Sequence, residues 1–127
     1  MSTNYYLHRA PCIHCKRGDE RPTHIGKSND GWCFLLRVYP KEGIHDLDDW
    51  LPLINEPGSI IMSEHGERVL PGSLLGIIRD RIADVAPTDQ WLDDNQAIMG
   101  PNGLARLRID RHVKHGKAWD CIDIDFE

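Results

Sequence analysis

The chain has 127 residues, of which 40% are apolar and 28% are charged, and its formal net charge is −5. This length and composition are typical of one globular domain, and the four tryptophans argue against a disordered chain. The acidic balance disfavours a general nucleic-acid-binding protein, whose surface would carry a basic face. We expect a single domain over 1–127, with an N-terminal part at 1–40, a middle part at 41–99 and a C-terminal part at 100–127.

The N-terminal segment MSTNYYLHRA lacks the apolar stretch of a secretory signal. The longest apolar runs, such as SLLGII, are too short to span a bilayer. We therefore expect a cytoplasmic protein. Clustered cysteines in that reducing compartment indicate metal ligands or free thiols before they indicate disulfides.

Alternating apolar residues near the N-terminus predict a hairpin with strands at 23–27 and 32–38 and a turn at 28–31. The turn sequence SNDG contains three strong turn formers. In this register Gly26 pairs with Cys33, and His24 becomes a diagonal neighbour of Cys33 on the same face.

The middle of the chain predicts two helices and a second hairpin. Asp46 is the predicted N-cap of a short helix that Pro52 shortens or kinks, and the hairpin turns near His65-Gly66. The second helix covers 71–86, and Pro87 stops it. Its apolar stripe consists of Leu74, Leu75, Ile78, Ile82 and Val85. Residues 88–100 show no clear pattern.

The C-terminal segment alternates on both sides of His115-Gly116, which predicts a hairpin with a two-residue turn. In that register Ala105, Leu107 and Ile109 lie opposite Phe126, Ile124 and Ile122. Arg106 then faces Asp125, and Arg108 faces Asp123. Together the elements predict an α+β fold with a mostly antiparallel sheet, two short helices and an N-terminal knuckle and hairpin that resemble a zinc ribbon.

Four residues form a candidate metal site. Cys12 and Cys15 have the C-x2-C spacing of a zinc knuckle, and the predicted hairpin adds His24 and Cys33 to complete a tetrahedral structural zinc site. Two alternatives remain open. The four residues can be ordinary surface and half-buried side chains, or Cys12 and Cys15 can form a redox or disulfide pair.

The tripeptide Gly26-Lys27-Ser28 does not indicate a phosphate-binding P-loop. That motif needs a glycine five positions before Gly26, where this chain has Arg21, and it opens a helix whereas this segment enters a turn and a strand.

The polar C-terminal residues are the second candidate site. The predicted recognition residues are Lys27, Arg106, Arg108, His112, His115 and Trp119. Three interpretations stay open: a salt-paired, solvated sheet face, a ligand-binding surface, or a catalytic site in which a histidine acts beside carboxylates such as Asp110.

The segments NYYLHRAPCIHC, HIGKSNDGWCFLL and GPNGLARLRIDRHVKHGKAWD resemble a family of small proteins from tailed bacteriophages and prophages. The resemblance covers most of the chain but departs at 86–99 and near 116–121, where Cys121 is particular to this sequence. It implies context more than chemistry: small non-structural phage proteins often bind a host factor or block a defence system.

Three functions follow as hypotheses. The first is a zinc-stabilised binding protein that acts in counter-defence or host takeover by engaging a host protein or a component of a defence system, such as a nucleotide or nucleic acid. The second is a small metal-dependent hydrolase or nuclease that uses Asp110, His112 and His115. The third is a sponge for a signalling nucleotide, which needs a pocket where arginines converge with an aromatic side chain, for which Trp119 is the candidate.

Overall fold

The computed structural model describes residues 2–9 and 22–126. The helices among them are α1 (Leu47–Ile54), α2 (Pro71–Arg79) and α3 (Asp89–Asp94), with short 3-10 helices at Pro40–Glu42 and Pro101–Gly103. The strands are β1 (Ser2–His8), β2 (Thr23–Asn29), β3 (Phe34–Arg37), β4 (Ile60–Ser63), β5 (Arg68–Val69), β6 (Ala97–Met99), β7 (Ala105–Leu107), β8 (Val113–His115) and β9 (Trp119–Ile122). Cys12 and Cys15 lie outside the described residues.

Seven strands form one mixed sheet in the order β5-β4-β1-β2-β3-β9-β8, and β6 pairs with β7 in a small second sheet. Every pairing is antiparallel except that of β3 with β9, which is parallel and aligns Phe34 with Trp119. The predicted α+β class with a mostly antiparallel sheet is therefore confirmed. None of the helices within the described ranges has the length and apolar character needed to cross a membrane.

The main core lies between the large sheet and the two longer helices. Trp50 of α1 is 0% exposed and donates its indole N–H to the carbonyl of Arg37 at 2.8 Å. From α2, Leu74 and Ile78 pack into the same core as Phe34 and Leu36 of β3. Apolar residues at helical spacing thus meet the alternating apolar residues of the strands, and their burial supplies most of the folding free energy.

Two predicted middle elements are confirmed. The α1 helix begins after Asp46, whose carboxylate accepts a hydrogen bond from the backbone N–H of Leu47. The β4–β5 hairpin pairs Ile61 with Val69 and turns through Gly66, whose φ of 81° is the left-handed conformation that glycine adopts easily. These elements depend on local signals, which a sequence carries well.

The register of the first hairpin differs from the prediction. Gly26 pairs with Leu36 rather than with Cys33, a shift of three residues. The cause is a contact with the second sheet: Trp32 forms a parallel bridge with Ala105, and the Cys33 N–H donates to the Ala105 carbonyl at 2.7 Å. Because Trp32 and Cys33 leave the hairpin, His24 and Cys33 are not diagonal neighbours.

The α2 helix is shorter than predicted. It ends at Arg79, and Ile82 and Val85 are 70% and 83% exposed. The guanidinium of Arg81 explains the early end, because it donates to Ser28 Oγ and to the carbonyl of Trp32 in the β2–β3 connection. A continued helix would carry Arg81 away from these acceptors, so a tertiary interaction overrides the apolar pattern.

The predicted C-terminal hairpin is wrong in both partner and register. Strand β7 pairs with β6, so that Ala105 lies opposite Met99, and β9 pairs with β3 and β8. Within the true β8–β9 hairpin His115 lies opposite Asp120, and Gly116 donates to the Trp119 carbonyl across the turn. The alternating residues at 105–109 and 122–126 are compatible with the predicted hairpin. The observed topology instead buries Trp119 and Cys121 against β3.

The register of the first hairpin can be tested at Gly26. A Cβ at this position would lie within 3.0 Å of the Leu35 carbonyl oxygen and of the Phe34 ring. We expect Gly26→Ala to lower the free energy of unfolding by about 1–3 kcal/mol, because a methyl group cannot fit without moving the neighbouring strand. Chemical denaturation measures the difference.

The matched control for Gly26→Ala is Gly76→Ala in α2, where a Cβ would meet nothing within 4 Å. This change should stabilise the protein by up to about 1 kcal/mol, because alanine favours helix more than glycine does. Equal free energies of unfolding for wild type and Gly26→Ala would contradict the observed packing of β2 on β3.

Candidate functional site

Two of the predicted recognition residues, Arg106 and His115, belong to a buried polar network around Asp120. The Asp120 side chain is 0% exposed and pairs with Arg106 Nε at 3.1 Å. Its second oxygen accepts the Leu107 N–H at 3.0 Å, and His115 Nε2 lies 3.7 Å from the first. Burial raises the pKa of Asp120, and the Leu107 N–H and Arg106 partly oppose that rise. Because these groups bind one another, they join β7, β8 and β9 and do not face an incoming partner.

Trp119 is also part of the core, with 6% of its surface exposed. Its indole N–H donates to Asp46 Oδ1 at 2.8 Å, and the Cys121 thiol lies 3.4 Å from the same oxygen. One carboxylate therefore caps α1 and joins it to β9. Burial and the nearby Asp46 raise the pKa of Cys121 to about 12, so its thiol stays protonated at neutral pH and is a poor nucleophile.

His112 lies in a different environment, on the wall of an open groove. The groove has a volume of about 240 Å³. Its walls are formed by Val38, Pro40, His45, Arg111, His112, Val113, Lys114, Cys121 and Asp123. These residues come from the end of β3, the loop before α1, the β8 region and the end of β9, so the groove exists only because β3 pairs with β9. We call it the basic groove.

The charges in the basic groove are mostly positive. Neither Arg111 nor Lys114 forms an ion pair with any residue in the described part of the chain. His112 Nδ1 lies 2.8 Å from the Asp123 carboxylate, and Arg111 Nε donates to His112 Nε2 at 3.0 Å. The lining thus contains two cations and two histidines against one carboxylate, in a chain whose net charge is −5.

The other two predicted recognition residues, Lys27 and Arg108, do not line the basic groove. Lys27 is in β2, opposite Asn4 and Leu35. Arg108 is exposed and lines another cavity with Ile109 and Asp110, and this cavity shares Val113 with the basic groove. The structure therefore does not assemble the predicted set into one surface, and only His112 of that set reaches the groove.

The residues proposed for a hydrolase do not converge in the described structure. The Asp110 carboxylate accepts the backbone N–H groups of His112 and Val113, at 2.7 and 3.1 Å. His115 Nε2 faces the Leu107 carbonyl. In residues 2–9 and 22–126, no group of three histidine, cysteine, aspartate or glutamate side chains has the geometry to hold a metal ion.

The predicted zinc ligands stand as follows. His24 is 5% exposed, with Nε2 2.9 Å from Asn4 Oδ1 and its ring 4.9 Å from the ring of Phe126. Cys33 is 1% exposed and lies beside Gly100 at the second sheet. In the observed register, the positions of His24 and Cys33 along the hairpin differ by at least four residues. Their backbones are therefore more than about 10 Å apart. With Cys12 and Cys15 outside the described residues, the zinc site stays a prediction.

His45, Arg111 and Lys114 are the groove residues that the sequence did not reveal. They are isolated basic residues in segments with no motif, and they become neighbours through the parallel β3–β9 pairing. That pairing joins positions about 85 residues apart, between which no local signal exists.

Comparison with known proteins found no matching family model, no matching curated protein and no matching solved structure.

The role of the buried network can be tested with Asp120→Ala. This change leaves Arg106, whose side chain is 11% exposed, without its carboxylate, and we expect a loss of about 3–5 kcal/mol in the free energy of unfolding. The control is Asp123→Ala, which removes the half-exposed partner of His112 and should cost less than about 1 kcal/mol. Similar losses for the two variants would show that the Asp120 network is not a structural centre.

Proposed function

We propose that this chain acts by binding, and that the basic groove takes an anionic group of its partner. The observation that carries the proposal is that Arg111 and Lys114, which form no ion pair with the described residues, line one concave site together with two histidines. An exposed cation is ordinary, but two that converge with histidines in a concave site match the way proteins hold phosphate and carboxylate groups.

Each groove residue has a chemical role in this proposal. Arg111 offers its terminal guanidinium nitrogens for a forked contact with two anion oxygens, because its Nε is already donated to His112. Lys114, exposed on the edge strand β8, adds a mobile positive charge. Asp123 contacts His112 Nδ1 and thereby fixes the orientation of the imidazole ring in the wall of the groove.

The biological setting of the proposal rests on the resemblance to small tailed-phage and prophage proteins. We propose a counter-defence or host-takeover factor that works in the host cytoplasm and binds a host protein or a component of a defence system. A binding role accords with the site, because Asp110 and His115, which the hydrolase hypothesis needs, make contacts within the fold.

A structural zinc ion at Cys12 and Cys15 is a further part of the proposal. The C-x2-C spacing supports it, since two thiolates at this separation bind one ion. His24 and Cys33 lie too far apart in the hairpin to complete the same tetrahedron. The ion would therefore use at most one of them and would stabilise the N-terminal part by coupling metal binding to folding.

The anion site can be tested with inorganic pyrophosphate as the probe. We expect pyrophosphate to raise the melting temperature of the wild-type protein, because a ligand that binds only the folded state stabilises it. Charge-assisted hydrogen bonds contribute about 1.5–3 kcal/mol each, so the double variant Arg111→Ala, Lys114→Ala should weaken binding by about a hundredfold or more.

The matched control for the groove variant is Arg68→Ala. Arg68 is exposed on β5, six strands and roughly 29 Å from β8 at the other edge of the sheet. This variant should respond to pyrophosphate as the wild type does. If pyrophosphate raises the melting temperature of the groove variant as much as that of the wild type, the assignment of the groove is refuted. If it raises the melting temperature of neither protein, the proposed function is refuted.

The zinc proposal is tested by metal analysis of the purified protein. We expect about one zinc ion per chain, and its loss together with a lower melting temperature in the double variant Cys12→Ser, Cys15→Ser. Cys121→Ser is the control, because this buried thiol lies beside Asp46 in the core. An unchanged zinc content in the double variant would refute the proposed ligands.

A further inference from the structure

A second cavity adjoins the basic groove and has a different chemical character. Its volume is about 600 Å³, within the range of about 300–1,000 Å³ typical of small-molecule sites. It is lined by Arg37, Val38, Tyr39, Pro40, Lys41, Glu42 and Asp123. Val38, Pro40 and Asp123 line both cavities, so these three residues mark the boundary between them.

Two residues that line the second cavity, Arg37 and Tyr39, form a stacked pair. The Arg37 guanidinium carbon lies 4.7 Å from the centre of the Tyr39 ring. Contacts hold both groups in place: Arg37 pairs with Asp125, and the Tyr39 hydroxyl donates to the His24 carbonyl at 2.9 Å. The Tyr39 ring also packs edge-on against Trp50. An arginine–tyrosine pair in the lining of a cavity is a surface on which a flat aromatic base can stack.

The two cavities together place three kinds of group in a fixed order. Arg111, Lys114 and His45 line the basic groove alone, and Asp123 lines both cavities. Arg37 and Tyr39 line the second cavity alone, together with Lys41 and Glu42. Cations suit a phosphate, a carboxylate suits the hydroxyl groups of a ribose, and a stacking pair suits a base. His112 Nδ1 lies 2.8 Å from Asp123 and holds that carboxylate in position.

We propose that the anionic ligand of the basic groove is a nucleotide, with its phosphate at Arg111 and Lys114, its ribose at Asp123 and its base against Arg37 and Tyr39. This inference rests on the proposed function and specifies the ligand class. It also moves the aromatic part of the nucleotide site from the buried Trp119 to Tyr39. An anionic protein side chain would use the basic groove alone and leave the second cavity empty.

The experiment is calorimetric titration of the purified full chain with three probes: inorganic phosphate, ribose 5-phosphate and adenosine 5′-monophosphate. Base stacking contributes about 1–3 kcal/mol, so the nucleotide should bind about five- to a hundredfold tighter than ribose 5-phosphate. Tyr39→Leu should remove this preference and leave the affinity for phosphate unchanged. Tyr39→Phe should keep the preference, because the hydroxyl points to the His24 carbonyl and not to the ligand.

Each outcome decides between the two proposals. Equal affinities for ribose 5-phosphate and the nucleotide would overturn the nucleotide assignment and leave the anion site standing. A nucleotide preference that survives Tyr39→Leu would overturn the placement of the base. Absence of binding by all three probes would overturn both proposals. The comparison of the probes on the wild-type protein needs no variant, so the inference can fail even if Tyr39→Leu does not fold.

Discussion

The C-terminal half of the fold depends on the buried carboxylate of Asp120. It lies in the interior of the large sheet, yet it receives donors from Arg106 and Leu107 of β7 in the small sheet. A buried carboxylate is tolerated only where its oxygens have hydrogen-bonding partners, and here both do. The same contacts hold the two sheets together, since Arg106 also donates to the carbonyls of Gly116 and Trp119 in the β8–β9 turn.

With β9 fixed by this network, its parallel pairing with β3 creates the candidate site. The end of β3, with Val38, comes to lie beside Asp123, which follows β9. Asp46 completes the arrangement, because it caps α1 and accepts the Trp119 indole N–H, which brings the α1 loop and its His45 against β9. The polar residues that stabilise the fold, Asp46 and Asp120, are thus distinct from Arg111 and Lys114, which face the basic groove. This separation allows the groove to change without loss of the fold.

The sequence predicted those elements whose determinants are local. The Asp46 cap and the turn at Gly66 appear where short signals placed them, and the α+β class follows from such elements. The prediction failed where a strand pairs with a segment other than its nearest neighbour in the chain. Trp32 bridges Ala105 instead of extending the β2–β3 hairpin, and residues 105–107 pair with β6 instead of with the C-terminus. Of the residues predicted to bind a partner, His112 lies in the basic groove. Arg106 and His115 contact Asp120 because the C-terminal strands have another register than the predicted one, and Trp119 contacts β3 and Asp46, which are far away in the chain.

The most direct measurement of whether the paired cavities bind a nucleotide is a map of backbone amide chemical shifts during titration with adenosine 5′-monophosphate. We expect the changes to concentrate at 37–45, at 111–114 and at 121–123, which contribute the residues that line the two cavities. The small sheet, with its exposed Ile98 and Met99, and the opposite edge strand β5 should show none. Changes centred on those distant surfaces, or no changes at all, would contradict the assignment of the site.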